Sequence, residues 1–117
     1  MRIQTGGSYF KKINFTMKLD IQSIHFDADK KLLEFITKKL EKVHTFYEDI
    51  KSADVYLRLE KDSEKENKII EVKLNLNGTS IFATEKNTTF EAATDIIVDK
   101  LVAQVKKYKD KLYAKAV

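Results

Sequence analysis

Hydrophobic and polar residues follow two different periods along this chain, and these periods predict strands and helices in a definite order. Leu19 and Ile21 alternate with polar neighbours, which predicts a strand over 18–24. After Asp29, a favourable N-cap residue, apolar residues recur at helical spacing and predict an amphipathic helix over about 30–46. The members of this apolar stripe are Leu32, Phe35, Ile36, Leu40, Val43 and Tyr47.

Alternation with a period of two returns after residue 50 and predicts three further strands. The first two follow each other across a polar loop at 62–67. The dipeptide Asn77-Gly78, a strong signal for a tight turn, then leads into a strand over about 79–85. The alternating apolar residues of the first two strands are Val55, Leu57, Leu59, Ile70, Val72, Leu74 and Leu76.

The last segment predicts a long helix over about 88–113. Thr88 and Glu91 have the spacing of a capping box at its start. At about 100° per residue, Lys100, Lys107 and Lys111 share a stripe about 100° away from the apolar stripe. We therefore expect an anchored helix rather than a charged tail. The apolar stripe comprises Phe90, Ile97, Leu101, Val105, Tyr108 and Leu112.

The order strand, helix, three strands, helix predicts an α+β fold. Alternation in the strands indicates one buried face and one solvated face, so both helices must cover the same face of a four-stranded sheet. This two-layer β-α-β-β-β-α sandwich resembles the layout of double-stranded RNA-binding domains. Residues 1–16 show no clear period, and we expect them to be poorly ordered or outside a native domain of 17–117.

Composition narrows the classes of function. The chain of 117 residues has no Cys, which excludes disulfides and thiolate metal sites. No apolar run approaches the roughly 20 residues of a membrane span, and residues 1–16 lack the apolar stretch of a secretory signal. We expect a cytoplasmic protein with no membrane partner.

The net charge of +4 is unevenly distributed. Residues 17–99 carry 13 Lys/Arg against 17 Asp/Glu, whereas residues 100–117 carry six Lys against one Asp. Such asymmetry favours a polyanionic partner, although a lysine-rich end that only aids solubility would give the same count.

The first predicted helix also carries aligned lysines. Lys31, Lys38 and Lys42 have the same spacing as the stripe on the last helix, and Lys39 falls within the apolar band. The Lys39 stem packs while its ammonium reaches water, or the side chain faces a groove between the helices, and both interpretations can hold together. Lysines on two neighbouring helices would bind phosphates as point charges, without reading sequence.

The sequence offers no pattern typical of an enzyme. His25 and His44 are far apart, and we expect neither to bind a metal or to act in catalysis. The chain has no glycine-rich phosphate loop, HExxH, GxSxG or EF-hand motif. We therefore expect no catalytic residue, no metal, no cofactor and no small-molecule substrate.

Two segments carry a resemblance to a known family. "LLEFITKKLEKVHTFYEDI" and especially "TTFEAATDIIVDKLVAQVKKYKDKL", with its aromatic-Ala-Ala-x-Asp opening and Lys-x-Lys-x-Lys close, resemble the ribosome hibernation promoting factor family, also called the ribosome-associated inhibitor or ribosomal protein Y family. The resemblance extends from Met17 to about Lys115. It implies the β-α-β-β-β-α fold that periodicity also predicts.

The resemblance implies a function as well. Members of the family bind the small ribosomal subunit in the channel for mRNA and tRNA, contact rRNA phosphates and block translation under stress or in stationary phase. The residues that the resemblance assigns to rRNA binding are Lys39, Lys42, Lys100, Lys107, Lys109 and Lys111, with Lys38 and Lys106 as additional candidates.

The chain departs from the family pattern in two ways. Leu33 and Ala103 stand where the family often has Arg, so we expect weaker or shifted rRNA contacts. The chain also looks like a short form without the C-terminal dimerisation domain of long members, so pairing of ribosomes would need a separate dimerisation factor. A general double-stranded RNA-binding module and a protein–protein interaction module stay open as alternatives.

Overall fold

The computed structural model describes residues 6–13, 17–60 and 67–115. Its strands and helices follow the predicted order from Met17 onward, with one additional strand before it. Most of the predicted polar loop at 62–67 lies outside the described residues. The elements are β1 (Gly6–Ile13), β2 (Met17–Ile24), α1 (Lys30–Phe46), β3 (Ser52–Leu59), β4 (Lys68–Asn75), β5 (Ser80–Asn87) and α2 (Phe90–Lys115).

The strands form one mixed sheet in the order β1-β2-β3-β4-β5. β2 and β3 are parallel, because α1 carries the chain from one end of the sheet back to the other, whereas all other neighbours are antiparallel. The register aligns apolar side chains across four strands, as in the row Leu19, Ala53, Leu74 and Ile81. Such cross-strand rows produce the single apolar face that the alternation predicted.

Strand β1 was not predicted, and the sheet has five strands where four were expected. It pairs with β2 from Gly6 opposite Ile24 to Ile13 opposite Met17. The segment GGSYFKKI has no clean alternation, so its strand conformation comes from backbone pairing with β2 rather than from its own pattern. Tyr9 of β1 is half-buried against the core. A native domain that begins at Met17 stays a prediction.

Both helices cover the same face of the sheet, which confirms the two-layer sandwich. Side chains from α1, α2 and the strands form one core cluster. Leu40 of α1 and Leu101 of α2 are at most 1% exposed, as are Leu19, Leu57 and Leu74 of the sheet. Truncating such a residue to alanine typically costs about 2–5 kcal/mol, so this core fixes the positions of both helices.

The helix starts follow from local side-chain hydrogen bonds. Asp29 Oδ1 accepts a 2.8 Å hydrogen bond from the Leu32 amide, as expected for an N-cap. The capping box predicted at Thr88 is wrong by one residue. Thr89 Oγ1 accepts from the Ala92 amide at 3.0 Å, whereas the amide and the hydroxyl of Thr88 both donate to Asn87 Oδ1, at 2.7 and 3.3 Å. Helix α2 therefore begins at Phe90.

Candidate nucleic-acid interface

The predicted lysines of α2 lie on opposite sides of this helix. Lys100 pairs with Glu85 of β5, at the edge of the sheet. Lys109 follows nine residues later, about 180° around the helix, and contacts Phe46 at the end of α1. The lysines of α2 that the resemblance assigns to rRNA binding therefore belong to two separate surfaces.

The first surface is the interhelix groove, which we define by the facing sides of α1 and α2. Phe35, Lys39, Lys42 and Phe46 contribute to it from α1, since their spacing places them on one side of that helix. Asp95, Lys106 and Lys109 border it from α2, on the side turned toward α1.

Lys39 lies between the two helices. Its Nζ is 3.0 Å from Asp95 Oδ1 and 5.3 Å from the centre of the Phe35 ring. The Lys39 side chain is 39% exposed, so both sequence interpretations hold: the stem packs, and the ammonium faces the groove. The ion pair with Asp95 means that Lys39 must exchange one anion for another to bind a phosphate.

Lys109 joins α2 to the end of α1. Its Nζ is 3.4 Å from the Phe46 carbonyl oxygen and lies over two rings, 5.0 Å from the centre of Phe46 and 5.8 Å from that of Tyr47. Carbonyls at a helix C-terminus carry partial negative charge, so a cation is favourable here. This lysine therefore has a structural contact besides any role in binding.

The second surface is the β5 flank, which we define by Lys100, Lys107 and Lys111 on the side of α2 toward the sheet edge. All three side chains are exposed. Gln104 lies on the same side and donates a 3.2 Å hydrogen bond to the Phe82 carbonyl of β5. Within residues 6–13, 17–60 and 67–115, no ion pair involves Lys107 or Lys111. Their ammonium groups are available to an anionic partner.

The remaining three lysine candidates are exposed on the helical layer. Lys38 and Lys42 are exposed on α1, and Lys106 is exposed on α2. Lys42 and Lys106 lie nearer the groove than Lys38 does, by their angular positions around each helix. Four of the lysine candidates thus lie in or beside the interhelix groove, namely Lys39, Lys42, Lys106 and Lys109, and Lys38 lies farther out on α1.

The two departures from the family pattern have different surroundings. Leu33 is half-buried against the core, on the side of α1 that faces away from α2. Ala103 is exposed on the outer side of α2. An apolar residue at position 33 therefore contributes to packing, whereas Ala103 leaves the outer surface of α2 without a cation at that point.

The two histidines are separate in the fold. His44 is buried in α1, while His25 is exposed in the loop after β2 with a left-handed backbone φ of 64°. Among the residues that the structure describes, no three His, Asp or Glu side chains come together in a way that could hold a metal ion. Within the same part of the chain, no helix is long and apolar enough to cross a membrane.

One titratable group near the groove is perturbed. Burial raises the pKa of the Tyr47 phenol above its usual value, and the nearby Asp49 carboxylate raises it further. The Tyr47 ring meets Tyr108 of α2 edge-on, with centroids 6.0 Å apart. This contact joins the residue that follows α1 to α2.

Sequence reasoning missed the aromatic part of the groove. Phe35 was assigned to the apolar stripe, and Phe46 was not considered, yet Phe35 is only half-buried and Phe46 is 39% exposed. The available signal was the spacing i, i+4, i+7, i+11 of Phe35, Lys39, Lys42 and Phe46, which places two lysines between two phenylalanines along one side of α1.

Comparison with known sequences identifies a family. A family model described as "Sigma 54 modulation protein / S30EA ribosomal protein" matches residues 19–113. The ribosome hibernation promoting factor of Salmonella typhimurium is 33% identical over 96 residues, which cover 82% of this chain and 97% of that protein. The factor of the same name from Escherichia coli K12 is 32% identical with the same coverage.

Solved structures confirm the fold. A ribosomal subunit interface protein from Coxiella burnetii aligns with a TM-score of 0.68 at 23% identity, over 81% of this chain and 96% of that one. The N-terminal domain of Thermus thermophilus Protein Y aligns with a TM-score of 0.63 at 23% identity, over 80% and 96%. Since the family model covers most of the sequence and the same sandwich recurs in these structures, the chain belongs to the Sigma 54 modulation protein / S30EA ribosomal protein family.

Proposed function

We propose that this protein is a ribosome hibernation factor that binds the small ribosomal subunit in the mRNA/tRNA channel and blocks translation under stress or in stationary phase. Relatives named ribosome hibernation promoting factor, about 30% identical over most of the chain, support this proposal. In this proposal the protein acts in the cytoplasm and needs no cofactor, no small-molecule substrate and no catalytic residue.

The observation that carries the proposal is the arrangement of lysines on the helical layer. The rRNA-binding residues that we propose extend over both surfaces, from Lys39 and Lys42 in the groove to Lys107 and Lys111 on the β5 flank. Ammonium groups bind phosphate oxygens without reading base sequence, which suits a folded RNA surface with many exposed phosphates. The full set is Lys39, Lys42, Lys100, Lys107, Lys109 and Lys111, with Lys38 and Lys106 as additional contacts.

The proposed mechanism is steric exclusion. The sandwich has one continuous core beneath both helices, so the lysines are presented by a rigid body. Phosphate contacts hold that body in place, and its volume then occupies the position that mRNA and tRNA need. Nothing in this mechanism requires a bond to be made or broken.

Co-sedimentation with purified small subunits across a salt series tests the proposal. We expect saturable binding near one protein per subunit, with an affinity that falls as salt rises because phosphate contacts release counterions. An excess of duplex RNA should not displace the protein. Displacement by the duplex would favour a general double-stranded RNA-binding module, and absence of binding at low salt would contradict the proposal.

A further inference from the structure

The side of α1 that faces α2 combines aromatic and basic residues in one row. Phe35, Lys39, Lys42 and Phe46 follow each other at i, i+4, i+7 and i+11, with a phenylalanine at each end. At 1.5 Å per residue the two phenylalanines are about 16 Å apart along the helix.

Each phenylalanine of this row has a lysine ammonium beside it. Lys109 Nζ is 5.0 Å from the centre of the Phe46 ring, and Lys39 Nζ is 5.3 Å from that of Phe35. Phe46 is 39% exposed, although it ends a helix that buries most of its other apolar residues. An exposed ring within a positive groove matches a nucleotide, which joins a flat base to an anionic phosphate.

We propose that Phe46, with Lys109 beside it, binds an unpaired rRNA nucleotide by stacking on its base, and that Phe35 with Lys39 forms a second position of the same kind. The base must be unpaired, because bases inside a duplex already stack on their neighbours and offer no free face. This inference rests on the proposed function and deepens it, since it names the kind of RNA that the groove contacts.

The opposite face of the sheet supplies a matched control. Phe82 of β5 is 65% exposed, and Lys73 Nζ lies 5.5 Å from the centre of its ring. The pair therefore has the same chemistry as Phe46 with Lys109. It lies on the sheet face opposite both helices, because Phe82 and Lys73 alternate with the buried residues of their strands. Substitutions at Phe82 should not affect binding through the groove.

The affinity for purified small subunits is measured for the full chain and for the variants Phe46→Leu, Phe46→Trp and Phe82→Leu. This comparison separates stacking of a base on Phe46 from packing of Phe46 within the protein. We expect Phe46→Leu to weaken binding by roughly 5- to 150-fold, the range for one stacked base. Phe46→Trp should bind at least as well as the parent, and Phe82→Leu should be neutral. The salt slope of Phe46→Leu should be unchanged, since no phosphate contact is lost. Equal binding by Phe46→Leu and the parent, or equal weakening by leucine and tryptophan, would overturn the inference.

A photocrosslinking experiment identifies the molecule that contacts the ring. The photoreactive analogue p-benzoylphenylalanine is introduced at position 46 or, as control, at position 82, and the complex with small subunits is irradiated. A crosslink from position 46 to an unpaired rRNA nucleotide supports stacking. A crosslink to a ribosomal protein or to a paired nucleotide contradicts it, and does so even if Phe46→Leu fails to fold.

The two proposals fail in different ways. If the parent chain does not bind small subunits, both the proposed function and the stacking inference are wrong. If the parent binds and the phenylalanine at position 46 makes no difference, only the inference is wrong. Circular dichroism of each variant before binding ensures that a loss of affinity reflects the groove rather than the fold.

Discussion

The two sides of α2 carry lysines of identical chemistry in different surroundings. Lys109, in the interhelix groove, contacts the last carbonyl of α1 and two aromatic rings. Lys107 and Lys111, on the β5 flank, are exposed. The comparison shows that a lysine's role depends on the element opposite it. Lys39 and Lys109 of the groove contact the opposite helix, so each would have to give up an existing contact to bind a phosphate. On the flank, Lys100 is paired with Glu85, whereas Lys107 and Lys111 would bind an anion without losing an ion pair to any residue that the structure describes.

The largest expected effect comes from reversing the charge of the whole flank. We expect Lys100→Glu/Lys107→Glu/Lys111→Glu to abolish binding to small subunits, because the phosphate contacts that we propose for these three lysines would become repulsions. The fold should persist, since all three side chains are exposed. Co-sedimentation and thermal unfolding measure the two properties separately.

A matched control for this variant reverses three lysines elsewhere in the chain. Lys18→Glu/Lys73→Glu/Lys86→Glu changes the net charge equally but lies on the sheet face opposite the helices. Equal loss of binding by both variants would show that only net charge matters. Unfolding of the α2 variant would show that the flank is structural.

One alanine substitution in the groove and one on the flank should differ in their effect on thermal stability. Lys109→Ala removes a cation from the C-terminal end of α1 and from two ring faces, so we expect a loss of about 1 kcal/mol and a Tm lower by about 4 °C. Lys107→Ala removes the same charge without these contacts and should leave the Tm unchanged. Equal melting temperatures would show that the groove contacts do not stabilise the helix pair.

Releasing a paired lysine should strengthen binding. Asp95→Asn removes the carboxylate that holds Lys39, and we expect affinity for small subunits to rise by up to about fivefold, since exposed ion pairs contribute about 0–1 kcal/mol. Glu85→Gln releases Lys100 on the flank in the same way and serves as the comparison. Unchanged or weaker binding by Asp95→Asn, with the fold intact, would argue against Lys39 as a phosphate ligand.

The smallest effect concerns alkaline pH. The pKa of the Tyr47 phenol is raised in the folded protein, mainly by burial. The contribution of Tyr47 to the free energy of unfolding is therefore complete below the unfolded pKa of about 10. This contribution is lost as the pH rises through the folded pKa. We expect Tyr47→Phe to reduce the decline in stability above about pH 10, as measured by denaturant unfolding. The same decline in both proteins would exclude Tyr47 as its source.

Much of the fold could be predicted because it is encoded in local patterns. Alternation around Val55 and Val72 placed these residues on one face, and both are at most 1% exposed. The N-cap at Asp29 was correct, because a cap depends on residues only a few positions away. Strand β1 was missed, because its sequence has no clean alternation and its strand conformation depends on hydrogen bonds to β2.

The candidate interface was predictable in composition but not in arrangement. Sequence spacing placed Lys100, Lys107 and Lys111 on one stripe, and the structure places all three side chains on the same flank of α2. Sequence spacing could not show that this flank faces β5, or that Lys109 faces α1. Their part in rRNA binding stays a prediction.

The sequence by itself determined the order of helices and strands, the buried face of each and the concentration of lysines near the end of the chain, since periodicity and capping act between residues a few positions apart. Only the tertiary structure decided which element each group of lysines faces. Lys109 meets Phe46 across 63 positions of sequence, and Lys100 meets Glu85 across 15. Such contacts depend on how the core packs two helices onto one sheet, and no local sequence pattern specifies this packing.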